Sequence, residues 1–570
     1  MDRPGDRPMR NRMVSEDSCE DSCEDTDGEL LDAAPRRKPQ SRARWLGLSC
    51  CFFASVGLMM HGLLREWTDA GVLNVVTWNI AAINNNPFEY WITHNDADYN
   101  KLMEDVQTFI DAPGERDVLV SQVFTPAMFG ELKALMGARQ WPGLDAVEER
   151  WTSDLSQRKI ISGFLKDSAL GEKRLTSMPD RVTNTINVAG GGVANRPTVI
   201  NCFGGDMSSI PSWWAEWKGF MFEKALALPG RDGGVTQTIP ASMLAKIKRS
   251  KYPAITEAEE NISVPLQTLA QAIFDAVLVH VVNSVSPGAK WQRLQQQMCD
   301  ALNRRKNERT LAILARTYSD ATIIFLQETA SVFVKTTEAH PTLASRFFLA
   351  KAATLDAKRD QNSIVLLSRA FFNEATLAEH TSAVMGGFDK SVPVADGDLL
   401  VVSVDDLMGR KYLLASFHGD TNGLATLPVL AALHKLALTM PEHRLVFGLD
   451  ANTYEVGSGS KQGVAEFATA FVLDGYTSCW GDRPDPKSDT TYNARTFLQP
   501  QLQKAARIDE KVSKGDKNPK DFILFSKNAF TLQAATKDNT GERRYITDMV
   551  FPTLSFPSDH GIVAASLAVR

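Results

Sequence analysis

Cysteine is scarce in the part of this sequence that has globular patterning. Of the seven cysteines in 570 residues, only Cys202, Cys299 and Cys479 lie there. So few thiols, with no C-x-x-C pair, predict neither a disulfide framework nor a zinc site. The patterns GxxxxGK(S/T), HExxH and GxSxG are also absent, so the sequence predicts no phosphate-binding loop, metalloprotease helix or nucleophile elbow.

An excess of basic charge is absent as well. The 570 residues carry a formal net charge of −6, which gives no general electrostatic attraction to nucleic acid. With 44% hydrophobic and 23% charged residues, the composition is that of a globular protein with a large core. The length allows several domains.

The first 64 residues differ from the rest. Residues 1–44 have no apolar periodicity and carry an acidic patch followed by a basic stretch, which predicts a disordered tail. Residues 45–64 have no formal charge, and their number suits the ~30 Å hydrocarbon core of a bilayer. We expect a transmembrane signal anchor; a cleaved signal peptide is disfavoured because no small-residue cleavage site follows. The basic residues precede the run, which predicts a cytosolic tail and a lumenal or extracellular catalytic region.

Six apolar runs of strand length carry polar residues at one end. Continuous apolar runs of this kind predict strands that are buried on both faces. Polar groups gathered at the ends of such strands are what an active site on a β scaffold requires. The runs and their polar residues are 73–79 with Asn79, 321–328 with Glu328, 362–369 with Asn362 and Ser363, 411–418 with His418, 444–452 with Asp450 and Asn452, and 520–525 with Asp521.

A Ser-Asp-His turn adds a seventh polar element. Asp559 and His560 directly precede an apolar run at residues 562–567, which predicts a strand that fixes the turn. A carboxylate beside an imidazole can raise the imidazole pKa and select its tautomer, and both groups can bind a metal ion. Alone, such a tripeptide is typical of a surface turn. It indicates a functional site only together with the six runs before it.

In this order, the motifs resemble those of the endonuclease/exonuclease/phosphatase superfamily. That superfamily includes pancreatic-type deoxyribonucleases, apurinic-site endonucleases, inositol polyphosphate 5-phosphatases and neutral sphingomyelinases. The resemblance covers residues 73–112 and 303–570. It implies an α/β (α+β) fold, a four-layered α/β/β/α sandwich with outer helices and two inner mixed sheets. The predicted domain spans residues 73–570, with its active site at one edge.

The resemblance also implies a metal-dependent phosphoric ester hydrolase. Glu328 is the predicted principal metal ligand, with Asn79 beside it and Asp559 within reach. A site with few carboxylates suits Mg²⁺, which keeps several waters, and Mn²⁺ is the alternative. The implied substrate is a phosphodiester or a phosphomonoester, and Asn362 and Ser363 are predicted to bind it.

The remaining polar residues are expected to share the catalytic work. Asp450 would orient or deprotonate the attacking water, while Asn452 and His418 hold the phosphate. His560 would act as acid or base, oriented by Asp521. Taken alone, the Asp-x-Asn pair is typical of an Asx turn and a single histidine of a buried structural residue. Together the residues predict catalysis.

A long insertion separates the first two motifs. Asn79 and Glu328 are 249 positions apart (328 − 79), where the superfamily places a few tens of residues. A helix is expected at residues 99–110. The apolar run at residues 117–123 lacks the carboxylate that the second motif needs, so we interpret it as a decoy and place the insertion at about residues 113–302.

The insertion lies beside the active site in chain order, which makes it a candidate for substrate recognition. It has a helical pattern at residues 264–282 and a cluster of aromatic residues. The alternative is that these aromatics are core residues. They are Trp213, Trp214, Trp217, Phe220 and Phe222.

Three functions remain open from the sequence. A nuclease needs a basic track, and residues 504–520 hold six basic side chains, although a solvated loop has the same pattern. A lipid phosphodiesterase or inositol phosphate phosphatase is favoured by the anchor and the tryptophans. A non-catalytic, membrane-tethered binding module is disfavoured because every expected catalytic side chain is present. The sequence gives no sign of an obligate protein partner.

Overall fold

The computed structural model describes residues 71–230, 234–356, 359–498 and 516–570. In these residues the chain is mixed α/β, with two six-stranded sheets and a mostly helical insertion. The predicted tail (1–44), the predicted anchor (45–64) and most of the basic run lie outside the described residues.

The first sheet is built around β1 (Val72–Asn79). β1 pairs in parallel with β6 (Ile323–Thr329), the strand that carries the second motif. It also pairs antiparallel with β18 (Ile562–Val569). The end of β1, the end of β6 and the turn before β18 therefore meet at one edge. The other strands, in the spatial order β17-β18-β1-β6-β8-β7, are β7 (Phe347–Ala350), β8 (Asn362–Ser368) and β17 (Phe530–Asp538).

The second sheet aligns three polar strand ends. β11 (Lys411–His418) runs parallel to β12 (Arg444–Asp450), and β12 runs antiparallel to β16 (Asp521–Ser526). The register sets His418 opposite Asp450, and Asp450 opposite Asp521, so the three residues form a row. The other strands, in the order β13-β16-β12-β11-β10-β9, are β9 (Phe372–Glu379), β10 (Leu399–Asp406) and β13 (Tyr476–Ser478).

An apolar layer joins the two sheets. It contains Val75 and Phe325 from the first sheet and Leu414 and Val446 from the second. Gly448 of β12 faces this layer, and a Cβ added there would lie 2.3 Å from Cδ2 of Phe325. The missing side chain at Gly448 therefore allows the second sheet to approach the Phe325 ring closely.

Helices contribute their apolar faces to the clusters on the other side of each sheet. A small sheet pairs β14 (Thr491–Asn493) with β15 (Asp516–Asn518) near the strand ends. The helices associated with the first sheet are Lys306–Thr317, Ser331–Ala339 and Pro341–Arg346, and those associated with the second are Thr381–Met385, Thr426–Thr439 and Val464–Leu473.

The segment between β1 and β6 has its own apolar core. Its central helix, Ser263–Val285, includes the helix predicted at residues 264–282. This helix is long and apolar enough to cross a membrane, but 78% of its apolar window is buried, as in a core helix. Helix Ala97–Asp111 is the one predicted at residues 99–110, but it joins the insertion core, while Lys306–Thr317 packs on the first sheet.

The aromatic cluster of the insertion is buried, which confirms the core interpretation. Trp213 and Trp217 have 0% of their surface exposed and Trp214 has 4%. Phe220 and Phe222 are also buried. These rings therefore offer no surface to a lipid.

Short helices and two hairpins complete the insertion. The run at residues 117–123 contains a helical turn and no strand of either sheet, so the decoy interpretation is confirmed. The further helices are Val120–Val123, Pro126–Ala138, Leu144–Ser153, Ser168–Glu172, Ser177–Thr183, Ile210–Lys218, Glu257–Asn261 and Lys290–Cys299. The hairpins pair β2 (Thr185–Val188) with β3 (Gly192–Asn195), and β4 (Leu226–Pro229) with β5 (Val235–Thr238).

A disulfide joins Cys202 to Cys299, with their Cα atoms 5.7 Å apart. The two cysteines are 97 positions apart in sequence and meet only because the insertion folds back on itself. The scarcity of cysteine gave no indication of this bond. Cys479 is buried and free.

We expect Gly448→Ala to destabilise the domain by about 1–3 kcal/mol, the usual cost of forcing a methyl group into a packed core. The Phe325 ring would have to move, because an added Cβ lies 2.3 Å from it. Gly459→Ala is the matched control, since nothing lies within 4 Å of an added Cβ there. Urea unfolding of both variants measures the difference, and equal midpoints would contradict the close contact between the sheets.

Candidate active site

Polar side chains from both sheets meet at one edge of the molecule. The first sheet contributes the ends of β1 and β6, and the second contributes the row across β11, β12 and β16. The turn before β18 lies between them. The side chains brought together are Asn79, Glu328, His418, Asp450, Asp521 and His560.

The amide of Asn79 joins the two sheets. Its Nδ2 donates to Glu328 Oε1 at 3.0 Å and to Asp450 Oδ2 at 2.9 Å. Its Oδ1 accepts from the backbone N–H of Ala81 at 2.9 Å, which orients the amide. One neutral donor therefore holds two carboxylates that belong to different sheets.

Glu328 lies in a β-bulge of β6 and has a φ of 57°, a left-handed conformation that non-glycine residues rarely adopt. Its Oε2 accepts from the N–H of Ala82 at 2.8 Å, and its Oε1 lies 3.2 Å from Nε2 of His418. Burial raises the pKa of Glu328, but the His418 charge and the hydrogen bonds from Asn79 and Ala82 outweigh burial and lower the pKa to about 2. Glu328 is therefore ionised at neutral pH.

His560 and Asp521 form a buried pair. Nδ1 of His560 lies 3.0 Å from Oδ2 of Asp521, which also accepts from the Thr490 hydroxyl at 2.6 Å. Nε2 of His560 lies 3.6 Å from Oδ2 of Asp450. Burial lowers the pKa of His560, but the Asp521 and Asp450 charges outweigh burial and raise the pKa to about 10. Burial also raises the pKa of Asp521. With a carboxylate near each ring nitrogen, the arrangement favours the imidazolium.

The turn that carries His560 is held by β1. The indole N–H of Trp78 donates to the His560 carbonyl at 3.0 Å, and the Ser558 hydroxyl donates to the Asn79 carbonyl at 2.6 Å. The apolar strand after the turn pairs with β1 along its length. The position of the imidazole therefore follows from the pairing of β1 with β18.

Asp450 and Asn452 form the Asx turn that their spacing suggests, inside the site. Asp450 is fully buried, and its Oδ1 accepts from the N–H of Asn452 at 2.9 Å. Asn452 has a φ of 48°, and its Nδ2 donates to the Gly419 carbonyl at 2.9 Å. The turn fixes Asp450 and leaves its Oδ2 beside Asn79 and His560.

Asp398 is a site residue that the sequence motifs did not reveal. It directly precedes β10, and its carbonyl accepts from the N–H of His418 at 2.9 Å. Its Oδ1 lies 3.8 Å from Nδ1 of His418 and accepts from Arg359 at 2.7 Å. An acidic residue placed opposite His418 could have pointed to this role, but that placement is known only from the register between β10 and β11. Asp398 therefore places a negative charge behind the imidazole.

Asn362 and Ser363, the predicted substrate-binding residues, use their side chains within the fold. The Nδ2 of Asn362 donates to the Thr329 carbonyl at 3.2 Å, and the Ser363 hydroxyl donates to the Asp398 carbonyl at 2.7 Å. Both residues are buried. The structure thus places them behind the site, where they support the backbone, and does not bring them into the cluster.

The donor set suits a hard divalent cation. In the described part of the chain, one group of three titratable side chains has its ligand atoms within 4.8 Å of one another: Asp450, Asp521 and His560. Glu328 is linked to this group through Asn79. Asp559, a predicted ligand, has its Oδ2 in a 2.9 Å hydrogen bond with the Tyr90 hydroxyl. Because His560 is paired with Asp521 and favours the imidazolium, the group of three is a hydrogen-bonded cluster. Carboxylate oxygens are the ligands that Mg²⁺ and Mn²⁺ prefer, and Glu328 and Asp559 offer such oxygens at the wall of one cavity.

A cavity of about 530 Å³ opens beside the cluster. Glu328, Asp559 and His560 line it, together with residues 81–86 after β1. The insertion supplies a further wall, which includes Asp180, Arg181, Asn184, Thr185 and Leu302. Lys306 also lines the cavity; its Nζ donates to the Ala82 carbonyl at 3.0 Å, and burial lowers its pKa to about 8.

Sequence comparison identifies a match in the insertion. Residues 117–296 match a family described as Domain of unknown function (DUF8234). These residues lie within the segment between β1 and β6. No curated protein matches the chain.

Structural comparison gives remote similarities. TDP2 of D. rerio, complexed with a single-strand DNA product, is 15% identical with a TM-score of 0.31, over 46% of this chain and 90% of that chain. The human Nocturnin catalytic domain with bound sulfate anion is 14% identical with a TM-score of 0.30, over 46% and 87%. The endonuclease/exonuclease/phosphatase from Bacteroides vulgatus is 12% identical with a TM-score of 0.33, over 48% and 94%.

Proposed function

We propose that the protein is a metal-dependent phosphoric ester hydrolase whose two sheets and outer helices form a four-layered α/β/β/α sandwich. The observation that supports this most is the Asn79 amide shared between Glu328 and Asp450, with His418 and His560 on either side. Carboxylates gathered in this way favour a divalent cation. Imidazoles beside them favour contact with an anionic phosphoryl group.

The side chains of the cluster can divide the hydrolysis of a phosphoester between them. Asp450 orients a water and accepts its proton as the water oxygen attacks phosphorus. The bond from phosphorus to the ester oxygen breaks, and the His560 imidazolium gives its proton to that leaving oxygen. Asp521 holds the ring in the donating orientation, while His418 holds the phosphoryl oxygens. The amide hydrogens of Asn452 go to Gly419 and Asp450, so Asn452 keeps Asp450 in place.

A bound Mg²⁺ or Mn²⁺ would supply neutralisation of the charge on the phosphoryl oxygens. Glu328 is the main residue that would hold it, with Asp559 as the other proposed ligand. Asn79, predicted as a ligand, instead turns its NH2 group to the carboxylates and its Oδ1 to Ala81, so in this proposal it orients Glu328. The low pKa of Glu328, about 2, keeps the carboxylate ready to bind a cation throughout the neutral range.

Two observations bear on the substrate class. Lys517 and Lys520, the described members of the basic run, form ion pairs with Asp548 and Asp516 at 3.0 and 2.7 Å, which weakens the case for a nucleic-acid track. The insertion tryptophans are buried, which weakens the case for a lipid-docking face. The assembled cluster disfavours a non-catalytic binding module. A phosphomonoester or phosphodiester of small size fits the cavity beside the cluster.

We also propose that the catalytic region lies in a lumenal or extracellular compartment, anchored through residues 45–64. The disulfide between Cys202 and Cys299 supports this placement, because such bonds persist in oxidising compartments. The buried helix Ser263–Val285 does not serve as the anchor in this proposal.

We expect Glu328→Gln to lower hydrolysis by about 10²-fold or more, the loss typical of removing one group that stabilises charge in the transition state. Chelation by EDTA should abolish the activity of the unaltered protein. The assay is hydrolysis of bis(p-nitrophenyl) phosphate by the full chain in Mg²⁺, with circular dichroism to verify folding. Glu338→Gln, the same change at an exposed position of helix Ser331–Ala339, is the control. Full activity of Glu328→Gln would remove this carboxylate from the mechanism.

We expect His560→Ala to reduce turnover by about 10²-fold or more, as when a proton-transfer group is lost. Asp521→Asn should cause a smaller loss, and the two effects should not add, because both disable one unit. The alkaline limb of the pH–rate profile gives a second readout. Because the pKa of His560 is raised to about 10, its protonated form is lost only as the pH rises through that value. Asp521→Asn should move the limb to lower pH; an unmoved limb would argue against the pair.

Membrane anchoring predicts that the full chain stays in the membrane pellet after alkaline carbonate extraction. Protease added to intact vesicles should remove only the acidic tail, because the rest of the chain faces the lumen. A soluble form that starts near residue 65 would instead support a cleaved signal peptide. N-terminal sequencing of the purified protein distinguishes the two.

A further inference from the structure

The insertion brings an unpaired cation to the catalytic cavity. Arg181, in helix Ser177–Thr183, lines the same cavity of about 530 Å³ as Glu328, Asp559 and His560. Among the described residues, its guanidinium has no ion pair or hydrogen bond, and the residue is exposed. Its five N–H donors are therefore available to a ligand in the cavity.

A buried network fixes the backbone on which Arg181 lies. The neighbouring Asp180 accepts from Nη2 of Arg196 at 2.7 Å. Arg196 is fully buried, and its Nε donates to Asp275 at 2.8 Å, in the middle of the central helix Ser263–Val285. Arg196 is thus shared between Asp180 and Asp275, and this buried contact holds the helix that carries Arg181 at the cavity wall.

Lys306 provides a second cation in the same cavity. Its ammonium has three donors, and the structure assigns one of them to the Ala82 carbonyl. The acidic residues of the insertion side and of the loop after β1 are paired, since Asp180 contacts Arg196 and Glu89 contacts Arg495. Arg495 also lines the cavity but is paired with Glu89, so Arg181 and Lys306 are the two cations of the lining with donors available to a ligand.

We infer that Arg181, with Lys306, binds a second phosphate group of the substrate, so that the enzyme acts on a small molecule with at least two phosphates. This inference rests on the proposed phosphoesterase function and names its substrate class. A planar guanidinium matches phosphate oxygens in pairs, which favours phosphate as the bound anion. The cavity volume lies in the range of small-molecule sites.

The test measures binding by isothermal titration to the full chain in detergent, with Mg²⁺ present. The probes are inorganic pyrophosphate, adenosine 3′,5′-bisphosphate and inositol 1,4,5-trisphosphate, each compared with orthophosphate. At least one of the three should bind about tenfold or more tightly than orthophosphate. Arg181→Ala should reduce that preference by about tenfold or more, the range for a lost charged hydrogen bond, and Arg181→Lys should restore part of it.

Arg249→Ala is the matched control. Arg249 is an exposed arginine of the insertion that does not line the cavity, so it removes the same charge without touching the site. Its preference should equal that of the unaltered chain. An equal preference in Arg181→Ala, or no preference for any of the three probes in the unaltered chain, would overturn the inference. Hydrolysis of bis(p-nitrophenyl) phosphate is followed in parallel. Its loss only in EDTA would leave the proposed function standing even if the binding result failed.

Discussion

The hydrogen bonds from the Asn79 amide are the contact on which the rest of the site depends. Glu328 and Asp450 come from different sheets, and both are held by this one donor. A carboxylate removed from water is costly unless it is hydrogen-bonded, and the amide contributes one hydrogen bond to each carboxylate where the two sheets meet. The close approach at Gly448 and the register that lines up His418 with Asp450 set the sheets for that contact. The geometry of the candidate site is thus a consequence of how the two sheets align.

Much of the fold could be predicted from the sequence, because its central strands are buried on both faces. Such a run can be recognised without knowing which strands it pairs with. The polar residue that ends the run lies at the end of a strand. This is why Asn79, Glu328, His418 and Asp450 could be recognised before the sheets were seen. Asp398 could not, because its position beside the histidine depends on the pairing of β10 with β11.

The insertion shows what a sequence pattern does not predict, which is the element that an apolar face packs against. Periodicity predicts helix Ala97–Asp111 but does not reveal whether its apolar face joins the sheet or the insertion core. From the sequence, the tryptophans are equally consistent with core residues and with a recognition surface, and only their burial distinguishes the two. Arg181 carries no signal at all in the sequence, since a lone arginine gains meaning only from the cavity that it lines.

The connectivity of the first sheet constrains how the chain can fold. Val75 of β1 pairs with Ile323 on one side and with Ala565 on the other, so the strand at the centre of the sheet must wait for partners from the distant middle and end of the chain. Contacts of such long range close slowly, because the entropy of the intervening loop is lost before they form. The insertion has its own core and disulfide, so it can fold before β1 pairs with β6. Its folding would shorten the loop that this pairing has to close. The polar cluster of the candidate site would then be among the last features to assemble. A nascent or truncated chain without β18 would lack both an inner strand of the sheet and the imidazole that precedes it.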